Sequence, residues 1–178
     1  MATALITSGQ TDLMAVERCD QCGYDADDWS DSSAVTAIEG LPARWHEALA
    51  GLTSEELHRR PIPSMWSIAE YTDHVREVLF GMRFLLDTAI TTPGADLGES
   101  PSSPFDPEPR HIEVELALEG IEHEATALRE RLTQLSPDQW NLTVKLDGDD
   151  VNPHWIARHV VHDATHHLGD VAHLRAAL

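Results

Sequence analysis

The C-terminal stretch of the chain decides the fold. Residues 153–178 read PHWIARHVVHDATHHLGDVAHLRAAL. Pro153 suits the first turn of a helix, where the missing N–H costs nothing, and no later proline interrupts the run. At about 3.6 residues per turn, one narrow face of this helix collects several polar and aromatic side chains. They are Trp155, His159, His162, His166, Asp170 and His173. The sequence predicts a long helix whose inward face carries histidines among apolar residues.

Three further stretches show apolar residues at the three- and four-residue spacing of amphipathic helices. They cover about 35–49, where Pro42 is expected to kink or split the helix, 67–91, and 112–135. A long loop over 92–110 and a short extended piece near 143–146 complete this part of the chain, and no convincing strand pattern appears. We therefore predict an all-α four-helix bundle over residues 33–178, preceded by a loosely structured extension over residues 1–32.

Composition narrows the classes of function. The 178 residues carry 12 Lys and Arg against 31 Asp and Glu, a formal net charge of −19. Such a surface repels polyanions, so binding to nucleic acid or to an anionic membrane surface is not expected. No apolar run approaches the roughly 20 residues of a membrane span, and no signal peptide is recognised at the N-terminus. The expected protein is cytoplasmic.

The histidines suggest a metal site. His162 and His166 stand four residues apart, so their side chains share one helix face and can reach one metal ion. The alternative is that these histidines are surface residues or core residues satisfied by hydrogen bonds. A second metal-binding pair, His159 with His162 or Asp163, would direct its ligand atoms less well at one ion. His74, beside the apolar stripe of the second helix, is the predicted third ligand. Asp163 or Asp170 would hold the far nitrogen of a ligand histidine, unless each is simply solvated.

Two motifs resemble those of the DinB/YfiT-like superfamily. Residues 66–74 match its W-S-x-x-E-x-x-x-H pattern, and residues 162–170 match H-x-x-x-H-H-x-G-[QD]. The resemblance implies a four-helix bundle with one divalent metal held by His74, His162 and His166. His167 points off that face on the helical wheel and is not carried over. Asp170 stands where many members have Gln, which places an extra negative charge beside the metal.

The resemblance also implies a chemistry. Assigned members mostly use low-molecular-weight thiols such as mycothiol or bacillithiol, as S-transferases or isomerases, so a metal-activated thiol attacking a small electrophile is expected. The metal would be zinc, with nickel, iron or manganese as alternatives. Two other hypotheses compete with this one. The protein would be a hydrolase using the same ligands, or a non-catalytic metal-binding module in a homodimer. Four residues near the ligands on the wheels are expected to line the pocket: Trp66, Tyr71, Trp155 and His159.

The extension contains Cys19-Asp20-Gln21-Cys22-Gly23-Tyr24, which resembles a C-x-x-C-G-[FY] element of one DinB/YfiT-like subgroup. Three roles are open for Cys19 and Cys22. They would form half of a metal site, completed by two other ligands or by a second subunit. They would be a reduced pair of minor structural importance, or they would be redox-active. No βαβ pattern surrounds them, which disfavours a thioredoxin-like role.

Overall fold

The structure, a computed structural model, describes residues 17–100 and 106–178. In these residues the helices are α1 (Asp31–Leu49), α2 (Ser54–His58), α3 (Ile68–Thr91), α4 (Val114–Thr133) and α5 (Pro153–Ala176). The strands are β1 (Arg18–Cys19), β2 (Tyr24–Asp25), β3 (Val144–Leu146) and β4 (Asp149–Val151), paired as two antiparallel hairpins. None of these helices is long and apolar enough to cross a membrane.

The four long helices form the predicted bundle. α1 packs on α4 and α5, and α3 packs on the same two helices, so α1 and α3 lie at opposite corners. Trp45, Leu79, Leu128 and Ile156 contribute one fully buried side chain from each long helix. Burial of such side chains stabilises the fold by about 1.5–3 kcal/mol each. The all-α four-helix bundle predicted from the sequence is confirmed.

Helix boundaries follow from capping. The Ser67 hydroxyl accepts a hydrogen bond from Glu70 N–H and the Glu70 carboxylate accepts one from Ser67 N–H, a capping box that starts α3. α1 starts earlier than predicted because Ser30 caps it by accepting from Ser33 N–H. The predicted split at Pro42 is wrong, since α1 continues through it as one helix. Proline removes only one backbone hydrogen bond, and buried residues on both sides pack this part of α1 into the core.

Two hairpins provide strands that no convincing sequence pattern predicted, although β3 lies within the short extended piece expected near 143–146. The β3–β4 turn has Asp147 at φ 54° and Gly148 at φ 87°, and two consecutive positive φ values are typical of a two-residue hairpin turn. The β1–β2 hairpin contains both cysteines and packs on α5. The described part of the N-terminal extension is therefore ordered against the bundle; residues 1–16 lie outside the described residues.

Candidate metal centre

A buried ion pair fixes the start of α3 and so positions His74 one turn later. The Glu70 carboxylate is fully buried and accepts hydrogen bonds from Arg60 Nε at 2.8 Å, from Ser67 N–H at 2.8 Å and from Arg110 N–H at 3.1 Å. Burial acts to raise the pKa of Glu70, but the Arg60 guanidinium and these N–H groups outweigh it and lower the pKa to about 2. Glu70 thus ties α3 to two loop segments and remains ionised.

α5 presents two histidine-containing stripes to different neighbours. Residues 162 and 166 form one stripe, and residues 163 and 167 form a second stripe about 100° further round the helix. The 163/167 stripe faces α3, where the His167 ring lies 4.9 Å from the ring of His74. The 162/166 stripe faces the β1–β2 hairpin, where His166 Nδ1 lies 3.6 Å from the Cys19 sulfur. α5 therefore takes part in two separate clusters of metal-binding side chains.

The first cluster, called here the bundle cluster, consists of His74, Asp163 and His167. Asp163 Oδ2 lies 3.8 Å from His74 Nε2 and 3.7 Å from His167 Nε2. These separations are too long for hydrogen bonds. Two ligand atoms bound at about 2.1 Å to a tetrahedral metal lie about 3.4 Å apart, so a small contraction would bring all three atoms onto one ion.

Asp163 also has a reason to bind a cation. Its other oxygen, Oδ1, is buried and has no hydrogen-bond partner among the described residues. Burial acts to raise the pKa of Asp163, but a contact with His74 and the charges of the neighbouring histidines outweigh it, so the pKa is lowered. An ionised carboxylate with one buried and unpaired oxygen is costly unless a cation compensates it. The residues present therefore fit a divalent metal.

Neighbouring side chains hold the bundle cluster in place. His167 Nδ1–H donates a hydrogen bond to Asp170 Oδ2 at 2.8 Å, which leaves the Nε2 lone pair directed at Asp163. The Tyr71 ring lies 5.0 Å from the His167 ring, and the Trp66 ring lies 5.1 Å from the His74 ring. Trp66 and Tyr71, which the sequence analysis expects to line the pocket, thus lie beside His74 and His167.

The second cluster, called here the hairpin cluster, consists of Cys19, Cys22, His162 and His166. A hydrogen bond from the Cys22 backbone and the nearby His162 imidazole lower the pKa of the Cys19 thiol to about 6. His162 Nε2 is buried, and residues 17–100 and 106–178 offer it no hydrogen-bond partner. The hairpin cluster thus combines a thiol that ionises readily with a buried imidazole nitrogen that lacks a partner.

Glu17 organises the outer side of the hairpin cluster and was not found by sequence reasoning. It accepts a hydrogen bond from His162 Nδ1–H at 2.6 Å, and its carboxylate also lies 3.1 Å from His159 Nδ1. The Trp155 ring stacks on His159, with ring centres 4.4 Å apart. Trp155 and His159 therefore lie beside Glu17 and the hairpin. No spacing rule connects Glu17 with residues so far along the chain, so only the fold reveals this contact.

The predicted ligand trio is divided between the two clusters. Among the described residues, the groups whose ligand atoms lie within 4.8 Å of one another place His74 with Asp163 and His167, and place His162 and His166 with the cysteines. A third group, His166, His167 and Asp170, overlaps both. His167 lies off the 162/166 face, as the helical wheel predicts, but its own stripe meets His74 on α3, so His167 joins the cluster that contains His74.

A groove opens beside the bundle cluster. It has a volume of about 630 Å³ and His74 forms part of its wall. Phe80 and Phe84 of α3 line it and remain about half exposed. Leu97 and Leu146 also line the groove, and Glu77 and Glu99 add acidic groups. The groove would admit a partly apolar small molecule next to His74.

These features define a four-helix bundle with a cluster of metal-type ligands, one of which, His74, lines a groove. The family model of the DinB superfamily matches residues 37–171, and the chain belongs to this superfamily. Among solved structures, YfiT from Bacillus subtilis superposes with a TM-score of 0.72 at 13% sequence identity, covering 82% of this chain and 86% of YfiT. YfiT is described as a probable metal-dependent hydrolase with an unusual four-helix bundle topology. No curated protein matches the sequence significantly.

Proposed function

We propose that the protein is a metal-dependent enzyme whose divalent metal is held by the bundle cluster and whose nucleophile is a low-molecular-weight thiol. The observation that carries this proposal is the spacing of His74 Nε2, Asp163 Oδ2 and His167 Nε2 beside the groove. Three protein ligands leave room in the coordination sphere, as in catalytic sites. A divalent metal bound there would lower the pKa of a coordinated thiol or water and so supply a nucleophile at neutral pH.

The residues of this chain orient the reaction. Asp170 fixes the tautomer of His167, and Trp66 packs against His74, so both imidazoles are held before any substrate arrives. One carboxylate and two neutral imidazoles leave a 2+ ion with a net charge of 2 − 1 = +1, which favours an anionic nucleophile. Phe80 and Phe84 provide apolar surface for the electrophile next to that position.

The thiol is proposed because the sequence motifs resemble those of thiol-using enzymes. Hydrolysis is the second candidate and has its own support. Two histidines and one carboxylate are the ligand set of several zinc hydrolases, and the similar structure YfiT is described as a probable metal-dependent hydrolase. Zinc is the first choice of metal, with nickel, iron or manganese as alternatives, since N and O ligands accept all four.

A paired turnover assay tests the proposal. Metal-loaded protein is offered a panel of small electrophiles with and without mycothiol, bacillithiol or glutathione, and a panel of esters and amides without thiol. We expect thiol-dependent turnover that is lost in His74→Ala. The control His173→Ala should keep it, because the His173 side chain is exposed on α5. Turnover of esters or amides without thiol would establish the hydrolase instead. Metal content unchanged by His74→Ala would contradict both.

A further inference from the structure

The hairpin cluster has the composition and geometry of a closed zinc site. Ligand atoms of Cys19, Cys22, His162 and His166 all lie within 4.8 Å of one another. For bonds of about 2.3 Å to sulfur and about 2.05 Å to nitrogen, a tetrahedral zinc ion places S and N about 3.6 Å apart. The Cys19 Sγ to His166 Nδ1 distance is 3.6 Å.

Local structure supports metal binding at each ligand. Gly23, directly after Cys22, has φ +74°, and its N–H donates to the Cys19 carbonyl at 2.8 Å, which closes a tight turn around the two sulfurs. His162 donates from Nδ1 to Glu17, and its buried Nε2 has no hydrogen-bond partner in the part of the chain that the structure describes. Second-sphere carboxylates of this kind fix the tautomer that a metal requires.

Charge favours a closed site here. Two thiolates and two neutral imidazoles bring a 2+ ion to a net charge of 2 − 2 = 0, which suits a partly buried position. Four protein ligands also leave no position for a substrate. The hairpin cluster therefore differs in kind from the bundle cluster, which has three ligands and a neighbouring groove.

The hairpin is too small to be stable without an additional link to α5. Each of its strands contains two residues, and Ala26 is the one buried residue within 17–28. Isolated two-stranded hairpins are at best marginally stable in water. Tyr24 adds a ring stacked on His162 at 4.6 Å and a hydrogen bond from its hydroxyl to the Arg158 carbonyl at 2.8 Å. These contacts position the hairpin over α5, but little apolar surface holds it there.

We propose that Cys19, Cys22, His162 and His166 bind a structural zinc ion that fastens the N-terminal hairpin to α5. On binding, the two thiols release their protons to solvent and both sulfurs coordinate as thiolates; no oxidant or reductant takes part. The ion lies beside the bundle cluster, since the rings of His166 and His167 are 5.2 Å apart. Fastening the hairpin also keeps Glu17 against His162 and His159.

Zinc X-ray absorption and elemental analysis on the tag-free full chain test this site separately from the catalytic one. We expect zinc bound to sulfur at about 2.3 Å in the wild type. That zinc should persist in His74→Ala/His167→Ala, which removes two ligands of the bundle cluster. It should be lost in Cys19→Ser/Cys22→Ser, while His173→Ala should retain it as the matched histidine control on α5. The zinc result can therefore be interpreted even if the proposed catalytic function is wrong.

Hydrogen exchange followed by mass spectrometry tests the mechanical role. In wild-type protein, addition of a strong chelator should increase exchange in peptides covering 17–28 more than in peptides covering α4. In Cys19→Ser/Cys22→Ser the same peptides should exchange quickly with or without chelator. Three results would overturn the proposal: zinc without sulfur ligands in the wild type, unchanged zinc in the cysteine variant, or a Cys19–Cys22 disulfide in protein purified without added oxidant. The wild-type absorption measurement keeps the test decisive even if a variant does not fold.

Discussion

Replacing Asp170 by Asn is expected to weaken metal binding at the bundle cluster without removing a ligand. Asp170 Oδ2 accepts a hydrogen bond from His167 Nδ1–H at 2.8 Å, and its side chain is about a quarter exposed. Asn retains an acceptor oxygen but loses the negative charge that makes the imidazole a better ligand. Loss of such a partner typically lowers metal affinity about 10- to 100-fold, and tenfold corresponds to about 1.4 kcal/mol.

Partial solvent exposure places the expected effect of Asp170→Asn near the lower bound, about tenfold. Asp170→Ala also removes the acceptor oxygen and should approach about a hundredfold. Affinity is measured by competition with a chromophoric chelator in a Cys19→Ser/Cys22→Ser/His166→Ala background, which removes the hairpin cluster and the overlapping group of His166, His167 and Asp170. Asp31→Asn is the matched control, because Asp31 Oδ1 lies 2.9 Å from His154 Nδ1, a similar pair outside both clusters. Equal affinities for wild type, Asp170→Asn and Asp31→Asn would refute the role given to Asp170.

Three further predictions concern stability. Glu70→Gln should lower the free energy of unfolding by up to about 3 kcal/mol at pH 7. Because the pKa of Glu70 in the folded protein is lowered to about 2, urea titrations should show this deficit shrinking as the pH falls from 4.5 towards 2. A deficit independent of pH would contradict this. Gly148→Ala, at φ +87°, should cost about 1 kcal/mol in thermal unfolding, and no cost would refute the strained turn. Leu128→Ala should cost about 2–5 kcal/mol by denaturant titration, whereas less than about 1 kcal/mol would mean that α4 is not packed in the core.

The bundle was predictable because its information is local. Apolar spacing identified all four long helices, and the Ser67–Glu70 capping box fixed where α3 begins. The hairpin around the cysteines could not be predicted, because strands of two residues leave no detectable alternation. The predicted split of α1 at Pro42 was wrong, since the tertiary packing on both sides of a proline cannot be seen in the sequence.

The site was harder to predict, because a helical wheel shows which residues share a face but not which neighbour that face meets. His162 and His166 share a face as expected, yet that face meets the hairpin. The adjacent stripe of Asp163 and His167 meets His74 instead. A rotation of about 100°, one residue on the helix, decides between the two ligand sets. Only the relative placement of α3 and α5 resolves this choice.

Anomalous diffraction at the absorption edge of the bound metal tests the central claim most directly. For crystals of metal-loaded protein, we predict one peak bonded to His74 Nε2, Asp163 Oδ2 and His167 Nε2, and for zinc-loaded protein a second peak among the ligand atoms of the hairpin cluster. A single peak shared by His74, His162 and His166, with Asp163 and the cysteines uncoordinated, would contradict the division into two clusters.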